Sequence, residues 1–413
     1  MNFFTKFLIN KNINYEYIAL LILALFPVLP YFFISISIFI YFLLIITDFF
    51  VRKEKKVNIK TRLYIIKATG FYFFLVFSLF FRANFILNLK VLQASLVIFV
   101  IPLTAFVFSR FSITSEEKHK ILKTFVFSSF LLGLIIIIIS FFEYLNVDAS
   151  YLSIIKNSSQ KIKILDLHPV YTSLYFSISL LYLISSIKEN FKTKLVLIVF
   201  FSMLILSLSA RIVIITLLIL LLFKLFKNNN KSIYIKLGYL IGLFGLIAVS
   251  IKQIPSLNKG ISEISSISEF QLPYKKFPTS SQIRLGIYSC SYEIIKEKWM
   301  FGLEPYKFEK ELGDCYSKYG NYEKKNYNTH NYFINLICIG GFICLLLFLY
   351  SIFVQFKKAK NKKDLLNGFF ICMIFFSSLT ENVLSRSYGS MFFVFFLLLF
   401  SFEETNKNKI FEK

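Results

Sequence analysis

The stretch THNYFINLICIGGFICLLLFLYSIFVQF, residues 329–356, decides the class of this protein. It joins a long polar segment, 252–330, to the apolar run Asn331–Phe356, and the junction is a single histidine, His330. A helix that crosses a bilayer needs about 20 apolar residues, within a range of about 17–25, and this run supplies them. Working outward, apolar blocks of similar size recur at 13–30, 31–51, 63–81, 90–109, 121–144, 168–187, 194–209, 211–226, 234–251, 331–355, 365–380 and 387–402. The composition agrees: 56% of residues are hydrophobic and mean hydropathy is +0.66. A soluble domain averages about 45–50% apolar residues.

The sequence therefore predicts an all-α polytopic membrane protein of about twelve transmembrane helices. Residues 1–413 form a single integral membrane domain, with 252–330 inserted as one large loop between helices 9 and 10. The first two blocks are one run broken by Pro27 and Pro30, which predicts a tight hairpin. No small-residue cleavage site follows the first block, so a cleaved signal peptide is not expected.

Net charge is +24, but its distribution does not describe a nucleic-acid surface. The basic residues cluster in short connectors: Arg52 to Lys56, Lys118 to Lys123, Lys188 to Lys194, Lys224 to Lys236 and Lys357 to Lys363. With both termini cytoplasmic, every one of these clusters falls inside, as the positive-inside rule requires. Attraction to acidic inner-leaflet lipid follows second. No nucleotide-binding glycine loop, metal-ligand cluster or internal repeat is present, and neither a cofactor nor a nucleic-acid partner is expected.

Under this topology the chemically capable residues gather on the outer side. Imidazole is the side chain whose ordinary pKa permits proton transfer near neutral pH, so His330 is a candidate base. A helix-end residue at the membrane boundary would look the same. Arg211 follows Ser209-Ala210 at the turn between two short spans, where it either snorkels to the headgroups or clamps an anion. Arg284 lies in a stretch from Ser281 to about Lys298 whose isoleucines, Ile283, Ile287, Ile294 and Ile295, recur at helical spacing. Ser280 or Ser281 is its candidate cap. An arginine in a first helical turn opposes the helix dipole; binding a phosphate would explain the placement, and a solvated surface arginine is the alternative of equal weight. His168 opens another span beside Pro169. His119, between Glu116-Glu117 and Lys120, reads as part of a solvated inner face. Glu381 and Arg386 frame the last outer turn and are expected to close it as an ion pair, with a substrate role as the alternative. Cys338, Cys344 and Cys372 lie in apolar blocks. Cys290 and Cys315 share the external segment and are expected to pair where the compartment is oxidising.

These residues, in this order, resemble the O-antigen ligase and polymerase superfamily of bacterial envelope glycosyltransferases. The resemblance runs from about Ser207 to Phe402 and rests on several short motifs. Ser209-Ala210-Arg211 matches an outer-turn arginine, and Arg284 with Tyr288 matches an Arg-x-x-x-aromatic helix. Phe301-Gly302-Leu303-Glu304 matches part of a Phe-Gly-x-Gly turn, and His330-Asn331-Tyr332 matches a His-Asn helix start. Gly340-Gly341, His168-Pro169 and the Glu381, Arg386, Gly389 ending also have counterparts. Glu304 replaces the second glycine of the turn, and Ala210 separates the serine from its arginine.

The resemblance implies a metal-independent, inverting glycosyltransferase in the bacterial inner membrane, its active site and the 252–330 loop facing the periplasm. The donor would be a glycan on undecaprenyl diphosphate. The acceptor would be a sugar hydroxyl of the lipid A core (a ligase) or a second lipid-linked glycan (a polymerase). His330 would be the base, Arg211 and Arg284 the diphosphate ligands, and His168, Tyr288, Asn331, Glu381 and Arg386 supporting residues. A lipid-linked oligosaccharide transporter is a less favoured reading, because the spans carry almost no charge at their centres. A non-catalytic scaffold would tolerate loss of His330.

Overall fold

The computed structural model describes residues 14–51, 59–111, 113–145, 155, 167–186, 190–227, 280–318 and 328–402. Among these residues 86% are helical and none is in a strand. The helices are α1 (Tyr15–Leu23), α2 (Tyr31–Val51), α3 (Ile59–Ser78), α4 (Phe85–Leu92), α5 (Val97–Phe108), α6 (Ser115–Tyr144) and α7 (Pro169–Ser185). They continue as α8 (Phe191–Leu208), α9 (Arg211–Lys227), α10 (Ser280–Lys298), α11 (Pro305–Lys318), α12 (Tyr332–Lys362), α13 (Leu365–Ser378) and α14 (Ser387–Ser401). The span expected over 234–251, and the polar segment before residue 280, lie outside the described residues.

Five of these helices are long and apolar enough to cross a membrane: α2, α3 with its extension to Phe81, α6, α8 and α12. The bent pair Phe85–Ser95 and Val97–Phe108, which meets at 79°, makes a sixth if it counts as one span. Several expected spans therefore differ. The block at 90–109 breaks at Leu96 instead of running through. The block at 13–30 begins as the nine-residue α1 and ends in turns before Pro30. The hairpin itself forms. Arg110 donates its backbone N–H to Glu16 at the start of α1 and its Nη2 to the Phe49 carbonyl at the end of α2, so both legs return to one place.

Helices α7, α13 and α14 are only 14 to 17 residues long. Every α14 residue from Tyr388 to Ser401 is buried, as is every α7 residue from Pro169 to Leu183. An apolar helix with no polar face belongs at the centre of a bundle. Aromatic rings fill that centre: Phe396 of α14 lies 4.9 Å from Phe125 of α6 and 5.2 Å from Phe370 of α13.

The two ends of the bundle differ in chemistry. At one end Lys118 pairs with Asp364 at 3.3 Å, and Lys358 donates to the Ser401 carbonyl at 2.9 Å. There Lys224 also reaches Ser185 Oγ at 2.7 Å. His119 belongs to this end but is buried, its Nδ1 2.8 Å from the Tyr182 hydroxyl. The solvated reading of His119 is thus corrected: α6 turns that face toward α7. The opposite end carries His168, His330, Glu381 and Arg386.

Helix α12 is broken once. Gly341 takes φ +73°, and a Cβ there would collide with the Met300 carbonyl. The turn after α10 fills the break: Leu303 N donates to the Cys338 carbonyl at 2.6 Å and Phe342 N to the Trp299 carbonyl at 2.8 Å. Gly302, at φ +68°, has no room for a side chain against the Gly340 and Gly341 amides.

Candidate functional site

The site is built where three helix ends meet. Asn331 caps α12, its Oδ1 accepting the N–H groups of Phe333 (3.0 Å) and Ile334 (3.2 Å). His330, one residue earlier, is held at φ +45° in the left-handed region, an uncommon conformation for a side chain with a Cβ. Its flanks explain how this is sustained. The His330 N–H donates to Asn328 Oδ1 at 3.0 Å, and Thr329 Oγ1 donates to Asn382 Oδ1 at 2.8 Å.

Glu381 follows the end of α13 and is buried. Its Oε2 lies 3.1 Å from His330 Nδ1 and its Oε1 accepts from Arg284 Nη2 at 2.9 Å. One carboxylate thus bridges an imidazole from α12's start and a guanidinium from the first turns of α10. Burial, the largest single influence, raises the Glu381 carboxyl pKa. The His330 hydrogen bond and the positive charges of His330, His168 and Arg284 outweigh it, and the net shift is downward. A carboxylate accepts only, so His330 carries its proton on Nδ1 and leaves Nε2 as the basic nitrogen. Arg284 spends one donor on Glu381. Its side chain remains 34% exposed, with further N–H groups able to meet an anion.

His168 caps α7, its Nδ1 accepting from Val170 N at 3.4 Å. It lies within electrostatic reach of Glu381, Arg386, His330 and Arg284, and burial, the dominant influence, lowers its pKa. Tyr288 lies one turn beyond Arg284, and burial, the largest influence, raises its phenol pKa.

One expectation changes. Glu381 does not close the last turn with Arg386; it pairs across the bundle with Arg284 and His330, while Arg386 is exposed at the start of α14. Arg211, exposed at the start of α9, shares no hydrogen bond or ion pair with those three among the described residues. It does occupy the same end of the bundle. Lys224 fixes α9 to the Ser185 end of α7, and at 1.5 Å per residue Arg211 lies roughly 20 Å from that contact, toward His168. The structure joins Cys290 to Cys315, Cα atoms 5.8 Å apart, tying α10 to α11. Ser280 and Ser281 begin α10, but their side chains lie outside the described residues. Among the described residues, no three His, Cys, Asp or Glu side chains gather as a metal site would require.

One residue escaped sequence reasoning. Arg82, just past α3, donates Nη1 to the carbonyls of Leu303 (2.6 Å) and Ile339 (2.8 Å), and Nη2 to that of Phe301 (2.7 Å). It locks the turn after α10 into the break of α12, and so fixes the Arg284 helix against the His330 helix. A lone arginine between two apolar blocks gives no sign of this.

Residues 195–349 match the O-antigen ligase family. The matched region holds Arg211, Arg284, Tyr288, His330 and Asn331, and with them the Cys290–Cys315 bridge. Members of the O-antigen ligase and polymerase superfamily are glycosyltransferase-type enzymes, and the apolar helices fit a membrane setting. His168, Glu381 and Arg386 lie outside the matched residues. No curated protein matches the chain.

Proposed function

We propose that this protein is an O-antigen ligase-type glycosyltransferase of the bacterial inner membrane, both termini cytoplasmic. It would move a glycan from undecaprenyl diphosphate to a sugar hydroxyl of the lipid A core on the periplasmic face. The observation that carries the reading is the Arg284–Glu381–His330 chain, with contacts of 2.9 and 3.1 Å. His330 Nε2 accepts the proton of the acceptor hydroxyl as its oxygen attacks the anomeric carbon. The bond from that carbon to the diphosphate oxygen breaks, and undecaprenyl diphosphate leaves. Glu381 stabilises the imidazolium as it forms, and Arg284, with Arg211, holds the leaving diphosphate. The displacement inverts the anomeric centre and needs no metal, because cationic side chains offset the leaving group's charge. Holding two lipid-linked substrates at one surface supplies much of the remaining effect.

The test is complementation by His330→Ala in cells lacking the gene, at equal membrane abundance, read as the envelope glycan on a gel. A lipid A core without glycan, with polymer accumulating on the carrier lipid, supports the ligase. A core bearing single repeat units only would assign the polymerase reaction instead. An unchanged ladder would overturn a catalytic role for His330.

A further inference from the structure

The turn that fills the break of α12 carries an apolar surface that the proposed chemistry does not use. Trp299 is half exposed and Phe301 is 62% exposed; the Trp299 carbonyl accepts from Phe342 N of α12, and the Phe301 carbonyl accepts from Arg82 Nη2. Across the Arg82 clamp, Phe81 and Ile86 are 78% and 79% exposed. Lys296 and Lys298, in the last turn of α10, are exposed just before Trp299. Phenylalanines of α3 and α5 continue the surface downward as a groove of about 490 Å³ lined by Phe73, Phe77, Phe80 and Phe99.

Depth says what covers it. Beyond its break at Gly341, helix α12 continues unbroken from Phe342 to Lys362, and the hydrocarbon core it crosses is about 30 Å thick. Its lysine-rich end cannot lie in hydrocarbon. From Phe356 back to Phe342 the unbroken part of α12 rises roughly 21 Å. Phe342, hydrogen-bonded to Trp299 and with its ring 6.2 Å from the indole, then lies roughly 9 Å inside the other hydrocarbon edge. Interfacial elements insert about 5–10 Å. Tryptophan with flanking lysines is the composition such elements carry.

We infer that the Trp299–Phe301 turn is a lipid-interface anchor that inserts beside α12 and holds the Cys290–Cys315-bridged helix pair on the bilayer surface. The occupant of the surface is the outer-leaflet interface, not a second copy of the chain, because the patch is continuous with the lipid-facing flank of spanning α3. The inference rests on membrane geometry and stands whether or not His330 is catalytic.

Trp299 is the single tryptophan of the chain, so the unmodified protein reports on its own turn. Its emission is recorded in phosphatidylcholine vesicles with plain or brominated acyl chains, and with acrylamide in the water. We expect emission shifted to the blue and at least about twofold weaker in brominated lipid, with bromines near the glycerol end quenching most. Acrylamide should quench it little. Quenching by acrylamide with none by brominated lipid would place the turn in water and overturn the anchor. Protection from both would mean that protein covers the surface, and would overturn it equally.

Discussion

Glu381 Oε2 lies 3.1 Å from His330 Nδ1 while the same carboxylate, through Oε1, holds Arg284 at 2.9 Å. The imidazole is thereby fixed in one tautomer, and the guanidinium is tied to it through a shared anion.

Glu381→Gln should keep the fold and lose most of the turnover. The amide can still accept from His330, but it no longer stabilises a positive imidazole. General-base catalysis contributes about 10²–10⁴-fold, so we expect His330→Ala to lose that range and Glu381→Gln a smaller part of it. Transfer by purified protein in vesicles checks this; equal activity of Glu381→Gln and wild type would remove the carboxylate from the mechanism.

Arg284→Lys should not restore what Arg284→Ala loses. A lysine cannot serve Glu381 and a phosphate oxygen at once with fixed geometry. Removing one electrostatic donor to developing charge costs about 10²–10³-fold in kcat. Kinetics with varied donor measure it, and Arg211→Ala, which lies outside the three-residue chain, should act mainly on KM.

Acidification should destabilise the site before it unfolds the bundle. The Glu381 carboxyl is depressed on folding, so its stabilisation is present above the unfolded carboxylate pKa and lost as pH falls through the folded value. His168 is also depressed, chiefly by burial, and its contribution has the same sign: present above about pH 6.5, lost on acidification. Thermal stability in detergent should therefore fall from pH 7.5 to about pH 5, with a shallower slope for His168→Asn, which keeps a capping oxygen.

Gly341→Ala should be among the most damaging substitutions outside the site. Positive φ with ψ −179° is a conformation essentially only glycine adopts and costs a residue with a Cβ about 1–3 kcal/mol, and here that Cβ would also meet the Met300 carbonyl. Arg82→Ala should lower stability by a different route, stripping three carbonyls of a charged donor. Such bonds contribute about 1.5–3 kcal/mol each. Midpoints of thermal unfolding check both.

Alkylation of unfolded, unreduced protein should label three of the five cysteines, Cys338, Cys344 and Cys372, and all five after reduction. Opening the bridge releases a 25-residue loop, worth about 3–4 kcal/mol in the chain-entropy account. The Cys290→Ser, Cys315→Ser double variant should loosen α10 against α11 and lower transfer without emptying the membrane of protein.

The sequence by itself determined what depends on near neighbours along the chain. Apolar block length decided that the protein is helical and membrane-bound, and isoleucine spacing placed α10. The Thr-His-Asn junction marked the start of α12, and Asn331 caps it. Tertiary structure decided what depends on which helix ends converge. Glu381 is 51 residues from His330 and 97 from Arg284, and sequence alone paired it with Arg386, five positions away. His119 looked solvated because its neighbours are charged, yet α7 covers it. Arg82 finds its three carbonyls more than 200 residues away. Hydropathy and helix capping act over a few residues, whereas a buried charge takes whichever partner packing brings within about 3 Å. That choice is made only when the helices assemble.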